Sequence, residues 1–287
     1  MTRIACIGEA MIELSLTSGD AQVGVAGDTL NTAIYLHRTA PDLHVDYVTC
    51  LGDDPFSARI FNFIADLGIA TSGIRIISGA SPGLYAITTS ADGERSFTYW
   101  RNDSAARQLF ADGDFGQLAD YDALYLSGIS VAILPQSVRL ALLAWLEQSP
   151  ATVIYDSNYR RRLWDSVEIA RQITSRLWQR ADIALPSIDD EMALFEETGE
   201  QVESRFSTLA RKGALKRGET GPLSLGEDVH QPYAPAVSVV DTTAAGDSFN
   251  GGYLGALLSG KDQAEALLAG HNMAAAVVQH RGAIIPE

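Results

Sequence analysis

Apolar positions along the chain fall into two periods, and the switches between them lay out the elements. Residues 3–8 form a short run of the buried-strand type, and residues 9–16 continue as an alternating strand through Met11, Ile12, Leu14 and Leu16. Residues 25–31 are small and polar. They lead into a helix with Leu30, Ile34, Leu36 and Ala40 on its apolar side and Asp28 or Thr29 available as N-cap. A strand over 45–50, a turn over 51–55, a helix over 56–67 and a strand over 74–77 follow. This βαβ rhythm predicts a parallel sheet covered by helices.

The rhythm breaks at Pro82. Residues 84–89 and 96–101 flank Ala91-Asp92-Gly93-Glu94, a hairpin with a turn signal. Alternation then resumes with strands over 124–127, 153–156 and 183–185 and helices over 136–146, 167–178 and 190–197. A strand over 237–240 precedes a helix from Ser248 that carries Phe249, Tyr253, Ala256 and Leu257, and an Ala-rich helix over 264–278 closes the chain. With no internal repeat or low-complexity linker, one α/β domain over 1–287 is the economical organisation. The hairpin and the early alternating strand make a discontinuous β cover, about 10–24 and 82–102, either a lid over a pocket or a dimer surface.

Composition narrows the partners. Asp and Glu number 36 against 21 Lys and Arg, a net charge of -15, which argues against nucleic acid or an anionic membrane surface. An anionic ligand would need a local positive field from those few basic residues. No apolar run reaches the ~18 residues of a membrane span, and the chain opens directly on a strand, so a cytoplasmic location is expected. Cys6 and Cys50 sit in strand-like runs as buried thiols, without metal spacing.

Candidate chemistry centres on the stretch from Asp241 to Tyr253. Ala244, Ala245 and Gly246 leave almost no side-chain bulk at a helix start, where free N–H groups and the helix dipole suit an anion. Asp247 would repel a phosphate there, yet it makes sense as acceptor of the proton from a hydroxyl attacking that phosphate. The same residues also read as a strand–turn–helix capped by Thr243. His37, His44, His230, His271 and His280 form no metal pattern, and neither a Walker A motif, a Rossmann fingerprint nor a nucleophile elbow occurs. Arg101 ends a hairpin strand at the rim of the cover. Arg160 follows Asn158 and Tyr159 just past a strand end, where open α/β sheets bind ligands, while Arg161 and Arg162 read as solvated charge. Two arginines on opposite walls suit a carboxylate or a phosphate. Lys216-Arg217-Gly218-Glu219-Thr220-Gly221 is a glycine turn that could hold the far phosphates or the ribose of a nucleotide.

Together these pieces resemble the ribokinase (phosphofructokinase-B) family of carbohydrate kinases. Residues 241–253 match its second signature: Asp-Thr, two small residues, Gly-Asp, then Gly-Gly and an apolar residue. Ala26-Gly27-Asp28-Thr29-Leu30-Asn31 looks like the first signature, one residue longer between Gly and Asn. Runs at 8–14, 82–85, 99–102, 124–130, 158–160 and 281–286 look like the family's sugar-acid kinases, so the resemblance covers essentially the whole chain.

The resemblance implies a Rossmann-like ribokinase fold, a mostly parallel sheet flanked by helices with a small β-sheet lid often shared in a homodimer. It implies ATP-dependent phosphorylation, with Mg²⁺ and an optional monovalent cation (K⁺), of the 6-hydroxyl of 2-keto-3-deoxygluconate. By similarity, Asp247 is the general base, and the N–H groups of Ala244, Ala245, Gly246 and Asp247 form the anion hole. Gly27, Asp28, Thr29, Leu30, Asn31, Tyr85, Tyr99, Trp100, Arg101 and Arg160 would hold the sugar acid. Asn158, Tyr159, Arg160, Lys216, Arg217, Gly218, Glu219, Thr220 and Gly221 would contact ATP together with the anion hole.

Two departures stand out. Where relatives often carry Asn-x-x-Glu linked to Mg²⁺, the chain reads Ser187-Ile188-Asp189-Asp190, so no metal ligands are assigned. Residues 212–215 are shorter than usual before the Lys-Arg-Gly turn, leaving little strand. The alternatives are a kinase for fructose, ribose or 2-keto-3-deoxygalactonate, and a binding protein without catalysis. A sugar acid is favoured because a neutral sugar needs no arginine, and burying one unpaired is costly.

Overall fold

In the computed structural model, which describes residues 2–17, 20–89 and 95–286, alternate strand residues feed two cores on opposite faces of one sheet. The first half of the chain contributes β1 (Arg3–Ile7), β2 (Met11–Thr17), β3 (Asp20–Ala26), α1 (Asp28–Thr39), β4 (His44–Leu51), α2 (Pro55–Asp66), β5 (Ile74–Ile76), β6 (Gly83–Thr89) and β7 (Arg95–Trp100). The middle adds β8 (Ala123–Ser127), α3 (Gly128–Ala132), α4 (Gln136–Gln148), β9 (Thr152–Asp156), α5 (Val167–Arg180), β10 (Ile183–Leu185), α6 (Ile188–Phe195) and α7 (Gly199–Leu209). β11 (Gly213–Leu215), β12 (Leu223–Leu225), α8 (Ala245–Leu258) and α9 (Gln263–Val277) complete it.

The large sheet runs β12-β11-β10-β9-β8-β1-β4-β5, parallel except where β12 pairs antiparallel with β11. Ile4 and Cys6 of β1 face α1, α8 and α9, whereas Ala5 and Ile7 face the core shared with α4 and α5. Burial on both faces is why these strands read as continuous apolar runs. The chain crosses from β1 to β4 on one side, while β8, β9, β10 and β11 extend the other. The resulting switch point lies at the C-terminal ends of β1 and β8, where such sheets bind ligands.

The helices start where local chemistry dictates. Asp54 caps α2 by accepting from the N–H groups of Phe56 and Ser57, with Pro55 in the first helical position. Ser166 caps α5, and reciprocal capping boxes open α7 (Thr198, Gln201) and α9 (Asp262, Glu265). Helix α8 lies between α1 and α9 at close range. A Cβ on Gly251 would fall 2.5 Å from that of Tyr35, which is why this helix tolerates glycine in its interior.

A second sheet, ordered β3-β2-β6-β7, rises from the loops beside this edge. It contains the expected strands and one more: β3, whose Gly24 and outer exposed residues hide its alternation. The expected turn over 91–94 lies outside the described residues.

Several expected boundaries shift. The strand expected over 237–240 does not form: Val237 is 94% exposed, and this segment has no ladder partner among the described residues. The antiparallel β12 already ends the sheet beside β11. Helix α8 begins at Ala245 rather than Ser248, after Ala244 and not Thr243 as N-cap. Gly27, with no side-chain cap bond, takes the N-cap of α1 in place of Asp28 or Thr29. The helix expected over 190–197 is α6, two residues earlier. The short segment over 212–215 does form a strand, β11, because parallel pairing with β10 supplies the ladder.

Candidate active site

The C-terminal edge of the large sheet and the first turns of α1 and α8 bring polar side chains together. Gly27 turns the chain into α1 so tightly that a Cβ there would lie 2.2 Å from the Glu9 carbonyl. Asp28 and Asn31, in the first turn of α1, then face the site. Ala244 adopts a left-handed conformation (φ 60°) before α8, a geometry costing an alanine roughly 1 kcal/mol. That turn leaves the N–H groups of Gly246 and Asp247 without a backbone acceptor among the described residues, a cradle suited to an anion, whereas the Ala245 N–H, expected in the same cradle, is spent on the Thr242 carbonyl at 3.2 Å. Asp241 braces the turn by accepting from the Thr243 N–H (3.0 Å), the Thr243 hydroxyl (2.7 Å) and the Gly282 N–H (2.8 Å).

Asp247 is buried at this helix start. The Asn31 Nδ2 donates to its Oδ2 at 2.8 Å, and the Thr32 hydroxyl donates to its backbone carbonyl at 3.2 Å. Burial, reinforced by the negative charge of Asp28, pushes its carboxyl up to about 8; the Asn31 bond and the more distant Lys216 cation oppose the shift. Asp28 is itself raised, chiefly by burial, and accepts from the Ser127 hydroxyl and from Asn158 Nδ2 (2.9 Å). Burial and the like charges of Asp28 and Asp156 thus push Asp247 toward the protonated form, and Asp156 does the same to Asp28. A carboxyl poised in this range suits a general base working near neutral pH.

On the far side of α8 sits a cation. The Lys216 Nζ, just past β11, donates to Asp156 Oδ1 at 2.7 Å and to Asn250 Oδ1 at 3.1 Å. A Cβ on Gly246 would lie 3.8 Å from this nitrogen, so the ammonium sits directly above the helix start. Past the ends of β9 and β10, Arg160 pairs with Asp190 at 3.3 Å, and the carboxyl of Asp190 is raised by burial against the pull of Arg160.

The second sheet presents Tyr85 and Tyr99 on one face, stacked at 5.5 Å between ring centroids. Tyr85 donates to Glu13, and Arg101 forms a buried ion pair with Glu9 at the junction of the two sheets. Arg101 is therefore held by a carboxylate of the protein itself, through Nη2.

Not every expected residue faces this space. Trp100 pairs with Leu84 on the opposite face of the sheet and is 57% exposed, because strand alternation turns it away from Tyr99. Leu30 packs fully buried in the core, and Thr29 spends its hydroxyl on Tyr47. Tyr159 is drawn into the core beneath the sheet, and Arg217 turns toward Glu203. Gly218, Glu219 and Thr220 form an exposed helical turn beyond Lys216.

Other residues enter that the sequence reading passed over. Asp156, Asn250, Tyr125 and Thr32 link Lys216 to α1 and α8; the position of Asp156 at a strand end was the available signal. Arg162, read as solvated charge, stacks its guanidinium 3.9 Å from the Tyr99 ring centroid and so joins the small sheet to the large one. No signal along the chain couples those two positions.

A parallel sheet with a raised carboxyl, free helix-start amides and a cation at its C-terminal edge has the parts that phosphoryl transfer requires. The model of the pfkB family carbohydrate kinases matches residues 1–287, and the chain belongs to that family. Among its relatives, the 2-dehydro-3-deoxygluconokinase of Dickeya dadantii is 45% identical over 99% of this chain and 96% of its own length. That of Escherichia coli K12 is 42% identical over 99% and 97%. The crystal structure of a PfkB protein from Polaromonas superposes with a TM-score of 0.82 at 28% identity, covering 97% of this chain and 96% of that one. The chain is thus a carbohydrate kinase by family, with the ribokinase-like fold. No helix among the described residues is long and apolar enough to cross a membrane.

Proposed function

We propose that the protein transfers the γ-phosphoryl group of ATP to the 6-hydroxyl of 2-keto-3-deoxygluconate, giving 2-keto-3-deoxy-6-phosphogluconate. The observation that carries this reading is the Asp247 carboxyl, raised to about 8 beside unpaired amides at the start of α8. The identities of 45% and 42% to 2-dehydro-3-deoxygluconokinases supply the substrate.

The nucleotide's phosphates would lie over the Gly246 and Asp247 amides with Lys216 above them. ATP supplies the phosphoryl group, and its Mg²⁺ neutralises charge on the phosphates. Asp190, beside Arg160, offers a carboxylate for that Mg²⁺ at the same edge.

The acceptor hydroxyl would approach Asp247 from the side of Asn31. Asp247 takes its proton, while Asn31 holds the carboxylate in aim. Asp28 would bind sugar hydroxyls. Arg101, oriented by Glu9, and Arg160 supply the positive field for the substrate carboxylate.

The small sheet over 11–17, 20–26, 83–89 and 95–100 acts as a lid on a single domain, placing Tyr85 and Tyr99 above the acceptor. The exposed Leu16 and Trp100 of this sheet support pairing of two copies through it.

A coupled assay of ADP release tests the reading. Turnover on 2-keto-3-deoxygluconate should exceed that on fructose or ribose by at least about tenfold, the value of one charged hydrogen bond. Equal turnover on the neutral sugars would overturn the substrate. Parallel assay of the galactonate epimer decides stereochemical preference.

A further inference from the structure

Helix α8 carries one polar residue whose use the proposed reaction leaves unexplained. Asn250 lies one turn beyond Asp247, fully buried. Its amide is committed at both ends. Nδ2 donates to Asp156 Oδ2 at 2.9 Å and to the Tyr125 hydroxyl at 3.0 Å, and Oδ1 accepts from Lys216 Nζ at 3.1 Å. Lys216 closes the ring through Asp156 Oδ1 at 2.7 Å. The Tyr125 hydroxyl also meets the Thr32 hydroxyl at 3.1 Å, and Thr32 bonds the Asp247 carbonyl, so the ring is tied to both helix starts.

The arrangement addresses a physical problem. A lysine is a point charge on a flexible stem, and a carboxylate alone fixes its distance but not its direction. A second acceptor, rigidly mounted on the helix that carries the anion cradle, fixes the direction as well. Lys216 is only 12% exposed and Asp156 only 3%. A mispointed ammonium would therefore lose bonds it could not replace from water.

We propose that Asn250 is a positioning residue: it holds the Lys216 ammonium over the first turn of α8. The helix thereby presents amides, base and cation to the phosphates as one rigid body. This rests on the reading of the α8 start as the phosphoryl site, and not on which sugar is the acceptor.

The test is calorimetry of the full-length protein with Mg²⁺ and the non-hydrolysable ATP analogue AMP-PNP, beside steady-state kinetics. Asn250→Ala should weaken the analogue about tenfold or more and lower kcat/KM for ATP to match, leaving KM for the sugar acid unchanged. In a Lys216→Met background the same change should add nothing. Independent, additive losses, or both KM values rising together with a falling Tm, would overturn the proposal.

Should Asn250→Ala not fold, Asn250→Asp keeps the shape but sets a carboxylate against Asp156. Its affinity relative to wild type should recover as pH falls and a shared proton restores the donor; a pH-independent ratio counts against the role. If the wild type binds the analogue but phosphorylates no keto sugar acid, only the substrate reading fails. If it does not bind the analogue, the phosphoryl site and this inference fall together.

Discussion

Asp46 and Asp247 are both buried carboxylates on the same α/β frame, and they have opposite meanings. Asp46, in the early part of β4, accepts from the Ser72 hydroxyl (2.6 Å), the Tyr121 hydroxyl (2.9 Å) and the Gly73 N–H (3.3 Å), with Arg3 at 3.8 Å. These partners are all hydrogen-bond donors or a cation. Asp247, at the other edge of the sheet, has one side-chain donor in Asn31 and faces the negative charges of Asp28 and Asp156. A satisfied carboxylate is a fastener; one kept short of donors among like charges is held ready for a proton. Perturbation alone does not separate the two, since burial lifts Glu191 to about 7 although Arg205 and Trp178 both bind it. The difference lies in what stands beside the group: an open helix start for Asp247, packed aromatic side chains for Glu191.

The sharpest break of this comparison is Asp247→Asn. Turnover should fall roughly 10²–10⁴-fold while AMP-PNP still binds, the loss expected when a general base is removed. Retention of more than about a tenth of kcat would show that the base lies elsewhere. Stability should move the other way. A carboxyl raised from 3.8 to about 8 on folding contributes stability that is fully present below pH ~4 and lost as pH rises through about 8. Thermal melts should therefore show the Asp247→Asn variant and wild type converging near pH 4, with the variant ahead by a growing margin up to pH 8. The next largest effect is on the other partner. Asp46→Ala strands buried donors and should cost roughly 3 kcal/mol by denaturant titration, with kcat of the folded fraction unchanged.

Much of this was legible in the chain. Apolar period, a local signal, located α2, α5 and α9, and the structure adds a local cap to each: Asp54 before Pro55, Ser166 before Val167, Asp262 before Glu265. The small side chains around Gly246, followed by Asp247, marked the site because that signal is local too. Legibility ends where a residue's meaning depends on a distant partner. The apolar run over 237–240 looks like a strand, but a strand needs a ladder, and none is offered to it among the described residues. Asn250 looks like a helix filler until Lys216 and Asp156 arrive from two other strands' ends. Trp100 and Tyr99 are adjacent on one strand and so face opposite ways, and the pairing of Tyr99 with Tyr85 shows which of the two shares the face of Tyr85.

A subtler change separates the electrostatic cause from the burial. Asp28 is the second cause, after burial, of the raised Asp247 carboxyl. Asp28→Asn removes that charge while leaving the pocket dry, so the acid limb of kcat/KM should move below about 8. The limb in a pH–rate profile reads this independently of any fall in affinity. An unmoved limb would assign the whole effect to burial.

The smallest expected effect tests whether the lid belongs to the site or merely adjoins it. Arg162 and Tyr99 meet across the two sheets with the guanidinium 3.9 Å from the ring centroid, and Arg162 has no ion-pair partner among the described residues. An exposed cation–π contact is worth roughly 0.5–1 kcal/mol, so Arg162→Ala should raise KM for the sugar acid only about two- to fivefold, with kcat nearly unchanged. Arg162→Lys, which keeps a cation over the ring, should recover part of the loss, and Tyr99→Leu should make Arg162→Ala silent. If Arg162→Ala instead raised KM a hundredfold and Tyr99→Leu did not mask it, the guanidinium would be gripping the substrate carboxylate directly. The contrast between fastener and working group would then extend to the arginines, with Arg101 clasped by Glu9 as the fastener.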